Sequence, residues 1–547
     1  MIPLFKNKII WLFLVILLCH GFFLIMNGIC WDDYVLIPQL LSGNYNEVIS
    51  IYSESGYILG GPAYLHIAYS FLFGSNLVFG YRFFAFIWIV LSGILVYKIF
   101  KKLKFKDLDS FFIASLASIY PAFKAAFIAI HAHYIFCYFV FILGVYIFVY
   151  KVKNNEFSLG LSQLFWRGLS ILLFVLSFFT SSILVFYCGV LFFIITKDMI
   201  GRNSIKIMIS SLFKYLDYWI IPMLFFFVEK TYFPAYGFYA NQNELQFAST
   251  GKLLRVFAAF WKGIYVAIRA SLSIINIPLF ISIPAFVFFA CYLFYRLIKE
   301  AIDSKEISNK LITYVFSWML LILAIFPYAA VGKFPDSSYA SRHLLLVGLP
   351  LALILFCFIR FIEKELQLGI KAVNIMFISL ILLFSYVGIE NYINWQYRFI
   401  KDESIMLQLK EMPYSKKYST FFIENDTNKA SSSIETAIYN YSYYEWSGIF
   451  NKVWKGEKWI GYDRDSVEEN RFLKDRKCFI HRYNLADYDP SGPIADMKIF
   501  YPNKNKLITQ RIKTIDVSKY YYFKWIKKDK LEGFLKSLVN VEITESQ

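Results

Sequence analysis

Residues 6–33 read KNKIIWLFLVILLCHGFFLIMNGICWDD, and this run decides the fold. Two lysines, Lys6 and Lys8, precede a continuous apolar stretch, and two adjacent aspartates, Asp32 and Asp33, follow it. A helix needs about 20 apolar residues to cross the hydrocarbon core of a bilayer. Basic residues mark the cytoplasmic end of such a helix, so the N-terminus is expected in the cytoplasm and the aspartates outside. No small-residue cleavage site follows the apolar stretch, so it reads as a retained first span, about 9–29, and not as a removed signal peptide. A carboxylate pair at the lip of a span is costly unless it is solvated, paired or used.

The rest of the 547-residue chain has the same character. It is 58% hydrophobic, 20% aromatic and only 17% charged, with a mean hydropathy of +0.50. Soluble domains carry about 25% charge, so a multi-pass membrane protein is expected. The net charge of +17 is not a nucleic-acid footprint, because much of the excess Lys and Arg falls in short loops between apolar runs, where it orients the chain. The seven cysteines show no CxxC spacing and several lie inside apolar runs. They read as small hydrophobes, not as disulfides or metal ligands.

Hydropathy predicts about eleven spans. The second, about 77–100, ends at Lys101, Lys102, Lys104 and Lys106. The third and fourth flank the outer turn His131-Ala132-His133-Tyr134, and Lys151 and Lys153 bring the chain back inside. Residues 167–196 read as a hairpin of two short helices broken at Thr180-Ser181-Ser182, with Lys197, Arg202 and Lys206 inside. A span at about 215–232 leads to an outer loop at 233–262 containing Asn241-Gln242-Asn243-Glu244. Further spans are expected near 273–298, 311–330, 343–362 and 371–390. The loops 299–310 and 363–371 are then inside and 331–342 outside. An odd number of spans puts residues 393–547 outside. That segment is polar and rich in Tyr and Lys, and reads as a small α+β extracytoplasmic domain after a transmembrane module at 1–392. No internal repeat is evident.

The first outer loop runs from Asp32-Asp33 through Gly61-Pro62, a turn signal, to the apolar run 63–73, which is too short to span and fits a helix lying in the interface. Gly74 follows, and Arg82 heads the next span. Arg82 read alone is a snorkelling cation; a carboxylate pair read alone is a solvated helix end or a general base with a supporting neighbour. The order of the pieces is more specific. It resembles the GT-C glycosyltransferases, in particular the protein mannosyltransferase and aminoarabinose transferase branch, where a similar loop carries an Asp-Glu or Asp-Asp pair, a Pro-Pro-like turn, a short interfacial helix ending near Phe-Gly and an Arg opening the second span. Here Asp33 stands where Glu is commoner, and Gly61-Pro62 replaces the double proline. The layout matches over residues 1 to about 200, with sharp motifs only between 31 and 82.

The resemblance implies an all-α GT-C-like fold and transfer of a sugar from a polyprenyl-phosphate carrier to a glycan, lipid or protein acceptor at the outer face of a plasma or inner membrane. It maps the catalytic base onto Asp32 and a supporting position onto Asp33. Some members of that family use a divalent cation and others do not, so a cation is left open and no metal ligands are assigned.

A second candidate is the loop Val331-Gly332-Lys333-Phe334-Pro335-Asp336-Ser337-Ser338-Tyr339-Ala340-Ser341-Arg342-His343. A departing phosphate needs positive charge, and Arg can hold its oxygens in a bidentate grip. Arg342 is the first choice for donor phosphate, with Lys333, His343 and Arg82 beside it; the plainer reading is a set of charges flanking a span. Tyr339-Ala340-Ser341-Arg342-His343 is similar to the Arg-Tyr or Arg-His element heading a late span in many family members. His131 and His133 fit either a polar turn or the lining of the same cavity, joined there by Tyr57 and Tyr339. Two histidines alone are a weak metal signal.

Two other functions suit a multi-pass chain. A polysaccharide polymerase is expected to put key arginines in large outer loops, without an acidic pair after the first span. A flippase or transporter is expected to carry mid-span charges and internal symmetry.

Overall fold

The computed structural model describes residues 7–153, 160–197, 212–240, 250–272, 288, 290–300, 309–336, 339–427, 441–456, 458–464, 489, 491–503 and 507–545. Arg202, Lys206, the stretch Asn241–Glu244, Ser337 and Ser338 lie outside these residues, as does most of the expected span 273–298 and of the loop 299–310; residues 290–300 are helical.

The fold is a helical membrane protein with a small C-terminal sheet. Five helical stretches among the described residues are long and apolar enough to cross a membrane: Ile58–Lys102, Ala129–Val152, Lys310–Ala330, Tyr339–Glu365 and Ile370–Glu411. Other expected spans are shorter, because the chain breaks them. The first is a helix α1 at Lys8–His20, continued by a 3-10 turn at Gly21–Leu24. The His20 ring holds this break inside the bundle, between the Tyr392 hydroxyl at 2.6 Å and the Ser118 carbonyl at 3.1 Å.

The first outer loop is itself helical, with α2 at Asp33–Ser42, α3 at Tyr45–Glu54 and α4 at Pro62–Phe73. Pro62 takes the first turn of α4, where its missing N–H costs nothing. Gly74 stops α4 at φ +48, a left-handed conformation that glycine takes without steric penalty. The second span, α5 at Leu77–Lys102, begins after a 3-10 turn.

Next comes α6 at Asp107–Ile119, only 13 residues long. Tyr120 precedes Pro121 and is extended, as a residue before proline prefers. Two 3-10 turns, Lys124–Phe127 and Ala129–His131, lead to α7 at Ala132–Ile147. The turn expected at His131–Tyr134 is therefore longer and starts earlier. Helices α8 at Leu161–Ser177 and α9 at Ser182–Thr196 form the short hairpin, with Thr180 and Ser181 between them.

Helix α10 covers Leu216–Tyr232 and α11 Thr250–Leu272, so the expected outer loop 233–262 is helical from Thr250. Helix α12 at Asn309–Ala330, a 3-10 run at Tyr339–Val347, α13 at Gly348–Glu365 and α14 at Ile370–Glu411 complete the bundle. Helix α5 packs on α6 and α7, α7 on α8, α9 on α12, and α13 on α6 and α12.

The boundary drawn at 392/393 falls inside α14. This helix has 42 residues, roughly 63 Å at 1.5 Å per residue, and stops just before Pro413. Its second half is the spine of the C-terminal domain. Strands β1 (Thr420–Asn425), β2 (Ile460–Asp463), β3 (Ile494–Phe500) and β4 (Asn540–Glu545) form one sheet in the order β2-β1-β3-β4. β1 runs parallel to β2 and β3, and β4 is antiparallel to β3. Helices α15 (Tyr443–Trp454), α16 (Gln510–Trp525) and α17 (Leu531–Lys536) pack on α14. One apolar cluster joins Trp31 and Tyr34 of the first loop, Phe127 and Ile130, Trp395 and Phe399 of α14, and Trp446 and Met497 of the domain. The outer loop and the C-terminal domain thus share a core.

Candidate active site

The segment between α1 and α2 turns sharply at Trp31, which has φ +48. A bulky residue held in that region stores roughly 1–3 kcal/mol of strain and persists only where its surroundings impose it. The Trp31 ring is wedged edge-on to Tyr339 (centroids 4.8 Å) and to Trp395 (5.0 Å). The two aspartates that follow have different surroundings.

Asp33 is fully buried. One carboxylate oxygen accepts the Ile130 N–H at 2.9 Å, and the other accepts Ala129 N–H at 3.2 Å and Cys30 N–H at 3.4 Å. Burial pushes this carboxyl up to about 6, while the Ile130 and Ala129 amides, the Arg82 charge and the Cys30 amide pull it back. Asp33 thereby ties α2 to the 3-10 turn that presents His131.

Asp32 is half-buried and its Oδ2 accepts the Tyr339 hydroxyl. The Arg342 guanidinium lies over the Tyr339 ring at 3.7 Å from its centroid, and its Nη1 donates to the Tyr339 carbonyl at 3.3 Å. The His131 ring lies 5.3 Å from the same tyrosine. A carboxylate, a phenol, a guanidinium and an imidazole therefore meet, from parts of the chain about 300 residues apart at the extremes.

His131 is held by the Ala125 carbonyl at 3.0 Å from Nδ1, and His133 by the Ile130 carbonyl at 2.6 Å from Nδ1. Bonding of Nδ1 to a carbonyl makes Nδ1 the donor and turns Nε2 into an acceptor. The buried Nε2 of His133 has no hydrogen-bond partner among the described residues. His133 also touches Tyr134 (3.9 Å between centroids) and His66 (5.3 Å). Tyr57 joins this group through Tyr52, whose ring lies 5.5 Å from that of Tyr57 and 5.9 Å from that of His133.

Lys333 is half-buried, and burial, then the charges of Arg342 and Lys230, push its ammonium down to about 8. Arg342 and Lys333 thus form one region of positive charge. His343 is buried in its field, stacked on Tyr328 at 4.4 Å.

Arg82 differs from expectation. It is 1% exposed, and its guanidinium donates to backbone, Nη1 to Met26 and Nη2 to Gly28 at 2.6 Å. Those carbonyls are left without helical partners by the irregular turn before Asp32, so Arg82 splints that turn and does not face the Arg342 region.

Three contributors were not read from the sequence. His66 sits between two tyrosines, with Nε2 2.6 Å from the Tyr52 hydroxyl and Nδ1 2.7 Å from that of Tyr81; its one signal is a lone histidine in an apolar interfacial helix. Glu445 and Arg398 form a buried ion pair at 2.5 Å behind Trp31, and nothing in their local sequence marks it. Among the described residues no group of three or more His, Cys, Asp or Glu is placed to hold a metal ion.

Comparison with protein families, curated proteins and solved structures finds no match to this chain.

Proposed function

We propose that the chain is a membrane glycosyltransferase of GT-C-like architecture that moves a sugar from a polyprenyl-phosphate carrier to a glycan, lipid or protein acceptor. One observation carries this reading: Asp32 and Arg342 share Tyr339, one bonded to its hydroxyl and the other lying over its ring. A base and a phosphate-binding cation on either side of one aromatic ring suit a single displacement.

In that reaction the acceptor hydroxyl gives its proton to Asp32, at Oδ1, since Oδ2 holds Tyr339. The acceptor oxygen attacks the anomeric carbon, the bond from that carbon to the phosphate oxygen breaks, and the phosphate leaves with the electron pair. Arg342 and Lys333 neutralise the charge that develops there. One displacement inverts the anomeric centre. Asp33 and Arg82 act through the backbone, holding the turn that carries Asp32.

The proposed sidedness is an extracytoplasmic site and C-terminal domain, with the N-terminus in the cytoplasm. The distribution of lysines supports it. Arg82 near the site and Lys102 at the far end of α5 are separated by roughly 30 Å of helix. At that far end Lys101 pairs with Asp107 at 2.7 Å, Lys197 donates to the Leu103 carbonyl at 2.7 Å, and Lys153 bonds the Ile194 carbonyl. Lysines gathered at one end mark the cytoplasmic face.

The test is sugar transfer by the purified chain from a polyprenyl-phosphate-linked sugar. Transfer that depends on Asp32 supports the reading. Transfer that is indifferent to Asp32→Asn overturns it.

A further inference from the structure

One face of α15, in the C-terminal domain, is given over to the loop that carries Asp32. Glu445 is fully buried, and its Oε1 accepts the Trp31 N–H at 2.7 Å. Gly448 lies one turn on, where an added Cβ would come within 2.2 Å of the Tyr34 ring. One further turn on, the Lys452 ammonium lies 4.9 Å from the centre of that ring. Positions 445, 448 and 452 fall on one side of a helix.

Glu445 is itself held from three directions. Arg398 donates to the same Oε1 at 2.5 Å, and Oε2 accepts the Ser442 N–H at 2.9 Å. The Ser442 side chain in turn accepts from the backbone N–H of Glu445, closing a capping box. Arg398 is fully buried on α14, and its guanidinium also lies 4.3 Å from the centre of the Tyr441 ring. The acceptor offered to Trp31 is therefore fixed in place.

Trp31 is the residue with φ +48. Its N–H is what Glu445 captures, and Asp32 is its neighbour. We infer that Glu445 is a positioning residue for Asp32: through the Trp31 amide it holds the left-handed turn that aims Asp32 at Tyr339 and the acceptor, so that the C-terminal domain forms part of the catalytic apparatus. This rests on the function proposed above. A misplacement of about 1 Å at a reacting group lowers turnover by about a hundredfold, so a hold of this kind has a kinetic consequence beyond stability.

The experiment uses the full-length chain in lipid nanodiscs and reads two quantities: steady-state transfer, and hydrogen–deuterium exchange of the peptide covering residues 28–36. Glu445→Ala is expected to lower kcat by about ten- to a hundredfold, with donor KM within about twofold and faster exchange confined to 28–36 and α15. Glu445→Gln keeps one acceptor oxygen, enough for the Trp31 N–H but not for the Ser442 N–H as well, and is expected to recover part of the loss. Gly448→Ala, which presses a methyl group on Tyr34, is expected to disturb the same peptide without touching Glu445. Glu445→Ala with unchanged kcat overturns the proposal, as does loss of activity accompanied by faster exchange throughout the chain. Full transfer in Asp32→Asn would instead remove the function reading, and exchange at 28–36 would still report whether Glu445 holds the loop.

Discussion

The hydroxyl of Tyr339 donates to Asp32, and the ring of that tyrosine is also the platform for Arg342. The two halves of the site can therefore be separated by mutation. Tyr339→Phe keeps the platform and removes the hydroxyl; it is expected to lower kcat about tenfold with donor KM unchanged. Tyr339→Ala removes both and is expected to raise donor KM as well. Steady-state kinetics with varied donor distinguishes these outcomes, and equal effects of the two variants would contradict the division of labour.

Asp32→Asn is nearly isosteric, and the side chain is only half-buried. Transfer should fall by about 10²–10⁴-fold, the usual contribution of a general base, while the thermal unfolding temperature stays close to that of the parent.

Lys333 provides a pH test. With its ammonium pushed down to about 8, it is cationic below that pH and neutral above it. Donor affinity should therefore be highest below pH 8 and weaken as pH rises through 8. Lys333→Arg, which stays charged throughout this range, should flatten that limb in a plot of donor KM against pH.

Asp33 provides a stability test of opposite emphasis. Its carboxyl is raised to about 6, so between pH 4 and 6 the folded chain binds more protons than the unfolded one. Its contribution of about 3 kcal/mol is full below about pH 4 and is lost as pH rises through 6. Thermal unfolding followed from pH 4 to 7 should show a slope that Asp33→Asn removes. Asp33→Asn should also lower stability by about 1–3 kcal/mol, because an amide cannot satisfy the Ile130 and Ala129 donors together.

Sidedness is checked with reporter fusions at residue 105 and after residue 545. Opposite compartments are expected. A shared compartment would contradict an odd number of spans.

The parts of the site that stood out in the sequence are charges placed where hydrophobic surroundings make them expensive. Asp32, Lys333 and Arg342 were conspicuous for that reason, and the structure gathers them with Tyr339, His131 and Tyr57. The roles of Asp33 and Arg82 were not legible, because their partners are backbone groups exposed only by the irregular turns at 25–32 and 129–131. The helix that runs through 392 was not legible for a related reason. Hydropathy falls at Asn391 and Asn394, yet α14 continues, because protein buries its polar residues in place of lipid: Asn391 bonds the Lys124 carbonyl and Gln396 the Asn27 N–H, while Asn394 and Arg398 pair with Lys513 and Glu445 of the C-terminal domain. Glu445 could not be read at all, since the amide it serves lies 414 positions away.

The closure of the chain on itself has a consequence for biosynthesis. The Tyr520 hydroxyl meets the Asn27 amide at 2.5 Å, and the Tyr521 hydroxyl donates to the Ile25 carbonyl at 2.9 Å, across 493 and 496 positions. A ribosome must therefore release the chain through Tyr521 before the turn ahead of Asp32 acquires these neighbours. A chain stalled or clipped short of residue 520 can still insert its apolar helices, but it leaves that turn unsupported. On the proposed function, copies cut before Tyr520 would sit in the membrane without transferring sugar.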